Sequence, residues 1–197
     1  MRGTIIIFLK APIAGKVKTR LGADIGLGRA SALFRIMTRR TIKEARKGDW
    51  RCVLAIDPLN AGFRNLWPPS LRRIGQGHGN LGQRMKYAMD QIADGPVIVI
   101  GADAPDMRAR HIKAAFKALR GSDAVFGPAE DGGYWLIGLS RRRVAPGLFD
   151  GVRWSTAHAL EDTIKSLPQN FEIVQIDQLT DVDTKSDLAS MGPFSKA

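Results

Sequence analysis

Thr4-Ile5-Ile6-Ile7-Phe8-Leu9-Lys10-Ala11-Pro12-Ile13-Ala14-Gly15-Lys16-Val17-Lys18-Thr19-Arg20 reads as a strand running directly into a basic loop. The apolar run is short, rich in β-branched residues and free of alternation, as for a strand buried on both faces. Pro12 and Gly15 break it into a loop. Lys10, Lys16, Lys18 and Arg20 then gather at the strand's carboxyl end, the edge where an open α/β sheet binds phosphates. Backbone N–H groups and ammonium heads can converge there on an anion. A solvated basic loop is the alternative for this stretch taken alone.

Working outward, further strands are expected at 51–57, 96–101, 123–127, 134–139 and 171–176, with a weaker one at 71–75. Helical spacing of apolar residues marks 28–47, 82–93, 109–119 and 156–167, as in Ala30, Leu33, Phe34 and Met37. This alternation predicts an α/β sandwich around a mostly parallel sheet. The strands at 123–127 and 134–139 are joined by Gly127-Pro128-Ala129-Glu130-Asp131-Gly132-Gly133 with no helix between, so they are expected to be antiparallel neighbours in a mixed sheet. No repeat or linker is visible, so 1–197 is expected to be one domain, with a frayed tail from about residue 190.

With 44% apolar and 25% charged residues, the chain can bury one substantial core. Its formal charge of +11 will attract polyanions. The cations are dispersed and aromatics make up only 7%, which argues against a specific nucleic-acid surface. The lone Cys52 lies in an apolar run and is expected to be a buried small hydrophobe. The N-terminal apolar run is too short for a signal-peptide core and is closed by Lys10, and no segment reaches the length of a membrane span, so a soluble, cytoplasmic protein is expected.

Three further segments carry chemistry. Gly101-Ala102-Asp103-Ala104-Pro105-Asp106 follows the strongest strand and places two carboxylates at the ligand-binding edge. Asp106 is expected to cap the helix beginning near Ala109, whereas Asp103 lies too early for that and is a metal candidate. Asp181-Val182-Asp183-Thr184, with Asp187 beyond, supplies either a helix cap or hard oxygen ligands of the kind Mg²⁺ accepts. Gln76-Gly77-His78-Gly79-Asn80-Leu81-Gly82 is a glycine-rich turn before a helix, open to close approach by a flat ligand.

Familiar alternatives are absent. Gly15-Lys16 lacks the other elements of a P-loop, and Gly22, Gly26 and Gly28 do not form a dinucleotide fingerprint. His78, His111 and His158 have neither a nucleophile setting nor zinc-like spacing. Transfer to an already ionised phosphate or carboxylate needs positioning and charge neutralisation more than a strong base. Lysines with a metal suit that chemistry.

Taken in order, Lys10-Ala11-Pro12 to Gly15, Lys18-Thr19-Arg20-Leu21, Gln76-Gly77 to Gly82 with Arg84-Met85, Gly101 to Asp106, Gly127-Pro128 to Leu139, Trp154-Ser155-Thr156 and Asp181-Val182-Asp183-Thr184 span nearly the whole chain. Together they resemble the glycosyltransferase-A-like nucleotidyltransferase superfamily. Within it, the chain is most similar to small bacterial proteins labelled arsenosugar-biosynthesis-type glycosyltransferases or domains of unknown function. More distantly it is similar to 2-phospho-L-lactate and molybdenum-cofactor guanylyltransferases. The chain departs from that pattern at Asn80, where an acid is common, and at Lys185-Ser186, where Pro often follows the Thr.

The resemblance implies a three-layer α/β/α fold with a mixed central sheet. It implies nucleotide binding by Lys10, Pro12, Gly15, Lys16, Lys18, Thr19 and Arg20, with Gln76, Gly79 and Gly82 facing the base. Lys18 and Arg20 would neutralise the leaving group, and Asp103 with Asp183 and Asp181 would hold Mg²⁺ or Mn²⁺. Glu130, Asp131, Gly132 and Gly133, with Arg153, Ser155 and Thr156, would border the acceptor. The expected activity is transfer from a nucleoside triphosphate to a small phosphorylated or carboxylated acceptor. Asp131 is the best base should one be needed, or else a turn residue. Glycosyl transfer from a nucleotide sugar and a non-catalytic nucleotide-binding role are the alternatives, and neither a specific nucleic acid nor a membrane is expected as a partner. Tyr134, Trp135 and Trp154 are read first as core.

Overall fold

Residues 2–59 and 66–190 are described by the computed structural model. The expected tail from residue 191 onward lies outside them. Among the described residues, seven strands form one sheet: β1 (Thr4–Lys10), β2 (Arg51–Asp57), β3 (Arg72–Gly75), β4 (Val97–Ile100), β5 (Ala124–Pro128), β6 (Tyr134–Leu139) and β7 (Ile173–Gln175). Their spatial order is β3-β2-β1-β4-β6-β5-β7. β1 pairs in parallel with β2 and β4, with Thr4 opposite both Arg51 and Val97. β6 runs antiparallel between β4 and β5, so the sheet is mixed, as the helix-free step between β5 and β6 implied.

The unbroken run Ile5-Ile6-Ile7 is explained by burial on both faces. Ile5 and Ile7 pack on the side of α2 (Leu27–Ala45) and α4 (Ala109–Ala118), against Phe34, Ile42 and Ile112. Ile6 points the other way, with Met85 and Met89 of α3 (Leu81–Asp90), on the side also covered by α5 (Ala159–Lys165). Each of these isoleucines is fully buried, contributing about 1.5–3 kcal/mol. The result is the three-layer α/β/α sandwich.

The short helices α1 (Thr19–Ile25) and α6 (Lys185–Ser190) complete the first layer. α1 is an addition to the expected elements, since seven residues containing Gly22 give too little periodicity to read. Gly22 lies where α1 meets the start of α2: a Cβ would approach Leu27 Cδ2 to 2.8 Å, a contact the half-exposed Leu27 side chain can relieve by moving. α5 is shorter than the expected 156–167, because Thr156 Oγ1 is spent on a turn, donating to Arg153 O and accepting from His158 N–H.

The expected capping by Asp106 is corrected. The backbone N–H of Ala109 donates instead to Glu44 Oε2 of α2 at 3.1 Å, while Asp106 pairs with Arg108 at 3.3 Å. A buried carboxylate from a neighbouring helix satisfies the orphan amide and ties the two helices together. Asn80 caps α3 reciprocally with Gln83, so the residue that departs from the resemblance serves the helix start. Cys52 is partly buried against the core, which pushes its thiol up to about 11.

Candidate active site

At the carboxyl edge of β1 and β4 lies a cavity of about 580 Å³, bordered by the basic loop, the Asp103 turn, the β5–β6 turn and residues 154–156. Its geometry begins with Lys18. This residue ends the loop in the left-handed conformation (φ 47°, ψ 46°), immediately before α1. Its side chain is only 4% exposed, and Nζ lies 2.8 Å from Asp103 Oδ1 and 2.7 Å from Asp183 Oδ1. Burial alone would lower the ammonium's pKa, but the two carboxylates outweigh it and hold the group above its ordinary value.

Asp183 reaches this point through a strap that recrosses the sheet edge after β7. Leu179 N–H donates to Pro128 O at 3.1 Å, and Val182 N–H donates to Asp103 O at 3.1 Å. Val182 is fully buried among Leu21, Ala30, Leu33 and Met37, while its neighbours Asp181 and Asp183 reach the cavity. The capping need at α6 is met elsewhere, since Thr184 Oγ1 accepts from Asp187 N–H and Asp187 Oδ2 accepts from Thr184 and Asp183 N–H. Asp181 and Asp183 are thereby left to the cavity. Burial, followed by repulsion from Asp103, pushes Asp181 up to about 7.

Lys10, Lys16, Lys18, Thr19 and Arg20 all line the cavity. Pro12 and Gly15 do not: Pro12 is buried with its carbonyl accepting from Ser31 Oγ at 2.8 Å, and Gly15 (φ 79°) turns the loop. Gln76 lines it too, but its side chain is buried, with Nε2 donating at 2.8 Å to both Leu9 O and Ala55 O. Gly79 and Gly82 lie outside the lining; Gly82 sits under Trp154 and Phe149.

On the opposite wall, Asp131, Gly133, Ser155 and Thr156 border the cavity, whereas Glu130, Gly132 and Arg153 do not. Asp131 Oδ1 accepts from Gly133 N–H at 2.8 Å, the turn arrangement anticipated for Asp-Gly-Gly. Gly132 (φ 83°) has no room for a Cβ, which would lie 2.2 Å from Ala157 O. Arg153 is held by Asp162 through contacts of 2.8 and 2.9 Å. Ser155, like Lys18, is a non-glycine residue in left-handed backbone (φ 61°), so two strained positions line the same cavity. Trp135 is core, as expected, donating from Nε1 to Asp177 O at 3.0 Å. Tyr134 and Trp154 are partly exposed at the cavity wall.

Arg84 also reaches the cavity, though only its place in a motif drew attention to it. It pairs with Asp57 at 2.7 Å, contacts Gln76 Oε1 and lies over the Phe8 ring. The signal in the sequence was Asp57 itself, a carboxylate at the end of β2. Among the described residues, no three carboxylates, imidazoles or thiolates close into a metal-coordinating cluster. The donor chemistry nevertheless suits a hard cation, since the carboxylates of Asp103, Asp131, Asp181 and Asp183 share the cavity.

This α/β scaffold, with a cationic loop facing carboxylates at the sheet's carboxyl edge, is that of the nucleotide-diphospho-sugar transferases. The family model of an uncharacterized protein conserved in bacteria (DUF2064) matches residues 41–156, and the chain belongs to that family. A solved structure from Desulfovibrio desulfuricans G20, assigned to the nucleotide-diphospho-sugar transferases, superposes with TM-score 0.88 at 30% identity over 100% of this chain and 89% of that one. The 2-phospho-L-lactate guanylyltransferase of Methanocaldococcus sp. (strain FS406-22) is 26% identical over 89% of this chain and 75% of its own length. Rv0371C from Mycobacterium tuberculosis H37Rv, solved in complex with manganese, shares the fold at TM-score 0.58 and 11% identity, over 97% of this chain and 98% of that one. The chain is a transferase of the nucleotidyl or glycosyl type. No helix among the described residues is long and apolar enough to cross a membrane.

Proposed function

We propose that the chain is a cytoplasmic, divalent-metal-dependent nucleotidyltransferase that moves a nucleoside monophosphate from a triphosphate onto a small acceptor bearing an ionised phosphate or carboxylate. The single observation that carries this reading is the buried Lys18 ammonium, between Asp103 and Asp183 at the foot of a loop whose other cations line the same cavity. An acceptor oxygen attacks the α-phosphorus, the bond to the bridging oxygen breaks, and pyrophosphate leaves. Lys10, Lys16 and Arg20 receive the triphosphate, and Lys18 neutralises charge growing on the leaving group.

Asp103 and Asp183, with Asp181, would hold Mg²⁺ or Mn²⁺; the manganese in the mycobacterial fold relative supports that reading. Such an ion, when bound, supplies charge neutralisation at the phosphates. Asp131 is engaged by Gly133 N–H and is poorly set to deprotonate an alcohol, which favours an acceptor already ionised. Ser155, Thr156 and Gly133 border that acceptor, with Glu130, Gly132 and Arg153 shaping the turns behind them.

Glycosyl transfer from a nucleotide sugar is the second reading, favoured by the assignment of the Desulfovibrio relative. Calorimetric titration of the metal-free protein with nucleoside triphosphates and nucleotide sugars, with and without Mg²⁺, separates the two. Mg²⁺-dependent triphosphate binding that weakens in Asp103→Asn supports nucleotidyl transfer. Selective binding of a nucleotide sugar overturns it.

A further inference from the structure

The more one-sided positive charge lies at the other end of the sheet. Gly3 and Pro96, just before β1 and β4, open into a second hollow of about 920 Å³. Among the described residues, six cations border it, Arg2, Lys47, Arg110, Lys113, Lys117 and Arg120, against a single acid, Asp49. The candidate active site differs in kind: there, carboxylates nearly balance the cations.

Arg110, Lys113 and Lys117 recur at three- and four-residue spacing, so one face of α4 presents all three to solvent. Arg2 is engaged by Asp49 and Lys47 by Glu44. The α4 cations and Arg120 are exposed, and holding four like charges together costs energy in the absence of a counter-ion. The hollow is also built. Trp50 and Phe116 meet with ring centroids 5.5 Å apart, and Trp50 Nε1 donates to Ala45 O at 2.6 Å. Glycines make room for both rings: a Cβ on Gly48 would lie 1.9 Å from Trp50, and one on Gly3 would lie 2.3 Å from Phe116.

We propose that this hollow is a second anion site, separate from the transferase centre, taking a small molecule with a chain of phosphates. Concavity favours a discrete ligand over a flat membrane or a convex duplex, and its volume is in the range of small-molecule sites. Phosphate is the shared chemistry of two sources, inorganic polyphosphate and a nucleoside polyphosphate. In the second, the partly exposed aromatic pair would take the base.

The test is calorimetric titration with sodium tripolyphosphate, and separately with ATP, at low and moderate salt and without Mg²⁺. The proteins are wild type, Lys113→Glu/Lys117→Glu, and Arg35→Glu/Arg39→Glu as an equal charge change on the exposed face of α2. Loss of one binding event, or at least tenfold weaker binding, in the α4 variant alone is the expected result. ATP binding this site at least tenfold tighter than tripolyphosphate identifies the nucleoside source, and equal affinity identifies the polyphosphate chain. Equal weakening in both variants means diffuse attraction and overturns the site. A single-stranded oligonucleotide displacing tripolyphosphate at far lower concentration overturns the small-molecule assignment. Lys113→Gln/Lys117→Gln is the milder pair if charge reversal impairs folding.

Discussion

Lys18 and Asp183 are 165 positions apart in the chain, yet Lys18 Nζ donates to Asp183 Oδ1 at 2.7 Å, with Asp103 closing the other side at 2.8 Å. One ammonium thus bridges two carboxylates that would otherwise repel each other. It also stands where a cation shared by those carboxylates would be held.

Two effects are expected of Lys18→Met. Triphosphate affinity and turnover fall, turnover on the order of 100-fold, because charge on the leaving group loses its neutralising partner. Mn²⁺ binding without nucleotide strengthens instead, since the ammonium no longer competes for Asp103 and Asp183. Calorimetry with Mn²⁺ alone checks the second effect, and weaker Mn²⁺ binding in the variant refutes the competition.

Asp181 makes stability depend on pH in an unusual direction. Its folded pKa, raised to about 7, lies above the unfolded carboxylate value, so the folded chain binds the extra proton. The resulting stability is present at low pH and is lost as pH rises toward and through 7. Asp181→Asn removes that loss. Its melting temperature relative to wild type should be higher at pH 8 than at pH 5, by the equivalent of roughly 1–3 kcal/mol. A difference independent of pH refutes the assignment.

Gln76 stitches three strands. Truncation to Ala strips the partner from two carbonyls, Leu9 O and Ala55 O, and from Arg84. Gln76→Ala should cost about 2–4 kcal/mol, read from the shift of the urea midpoint. A change below about 0.5 kcal/mol would show that water replaces the amide without penalty.

Gly82 holds Trp154 at the cavity wall by lacking a side chain. A Cβ there would come within 2.5 Å of Phe149 Cβ and 2.6 Å of Trp154 Cζ2. Alanine gains about 1 kcal/mol of helix propensity but overpacks by about 1–3 kcal/mol, so the variant should be less stable. Displacing Trp154 should raise the acceptor's KM roughly tenfold, while calorimetric triphosphate affinity is unchanged. Loss of triphosphate affinity instead would assign Gly82 to the nucleotide.

The strands, the mixed sheet and the cationic loop at β1 were legible in the sequence, because burial on both faces leaves an unbroken β-branched run and the loop follows without a gap. The three acidic clusters could likewise be read as candidates from residue type and position at element ends. Local pattern carried no such signal for α1, too short for periodicity, or for the cap on α4, whose acceptor Glu44 lies 65 positions earlier. Nor could it show that Gln76 and Arg153 are engaged within the protein, by Leu9 and Ala55 in one case and Asp162 in the other. Only tertiary structure decided that the strap after β7 returns to Asp103, burying Val182 while Asp181 and Asp183 reach Lys18's cavity. That outcome depends on packing between distant segments, where the energy of one buried valine and two backbone hydrogen bonds selects which carboxylates meet.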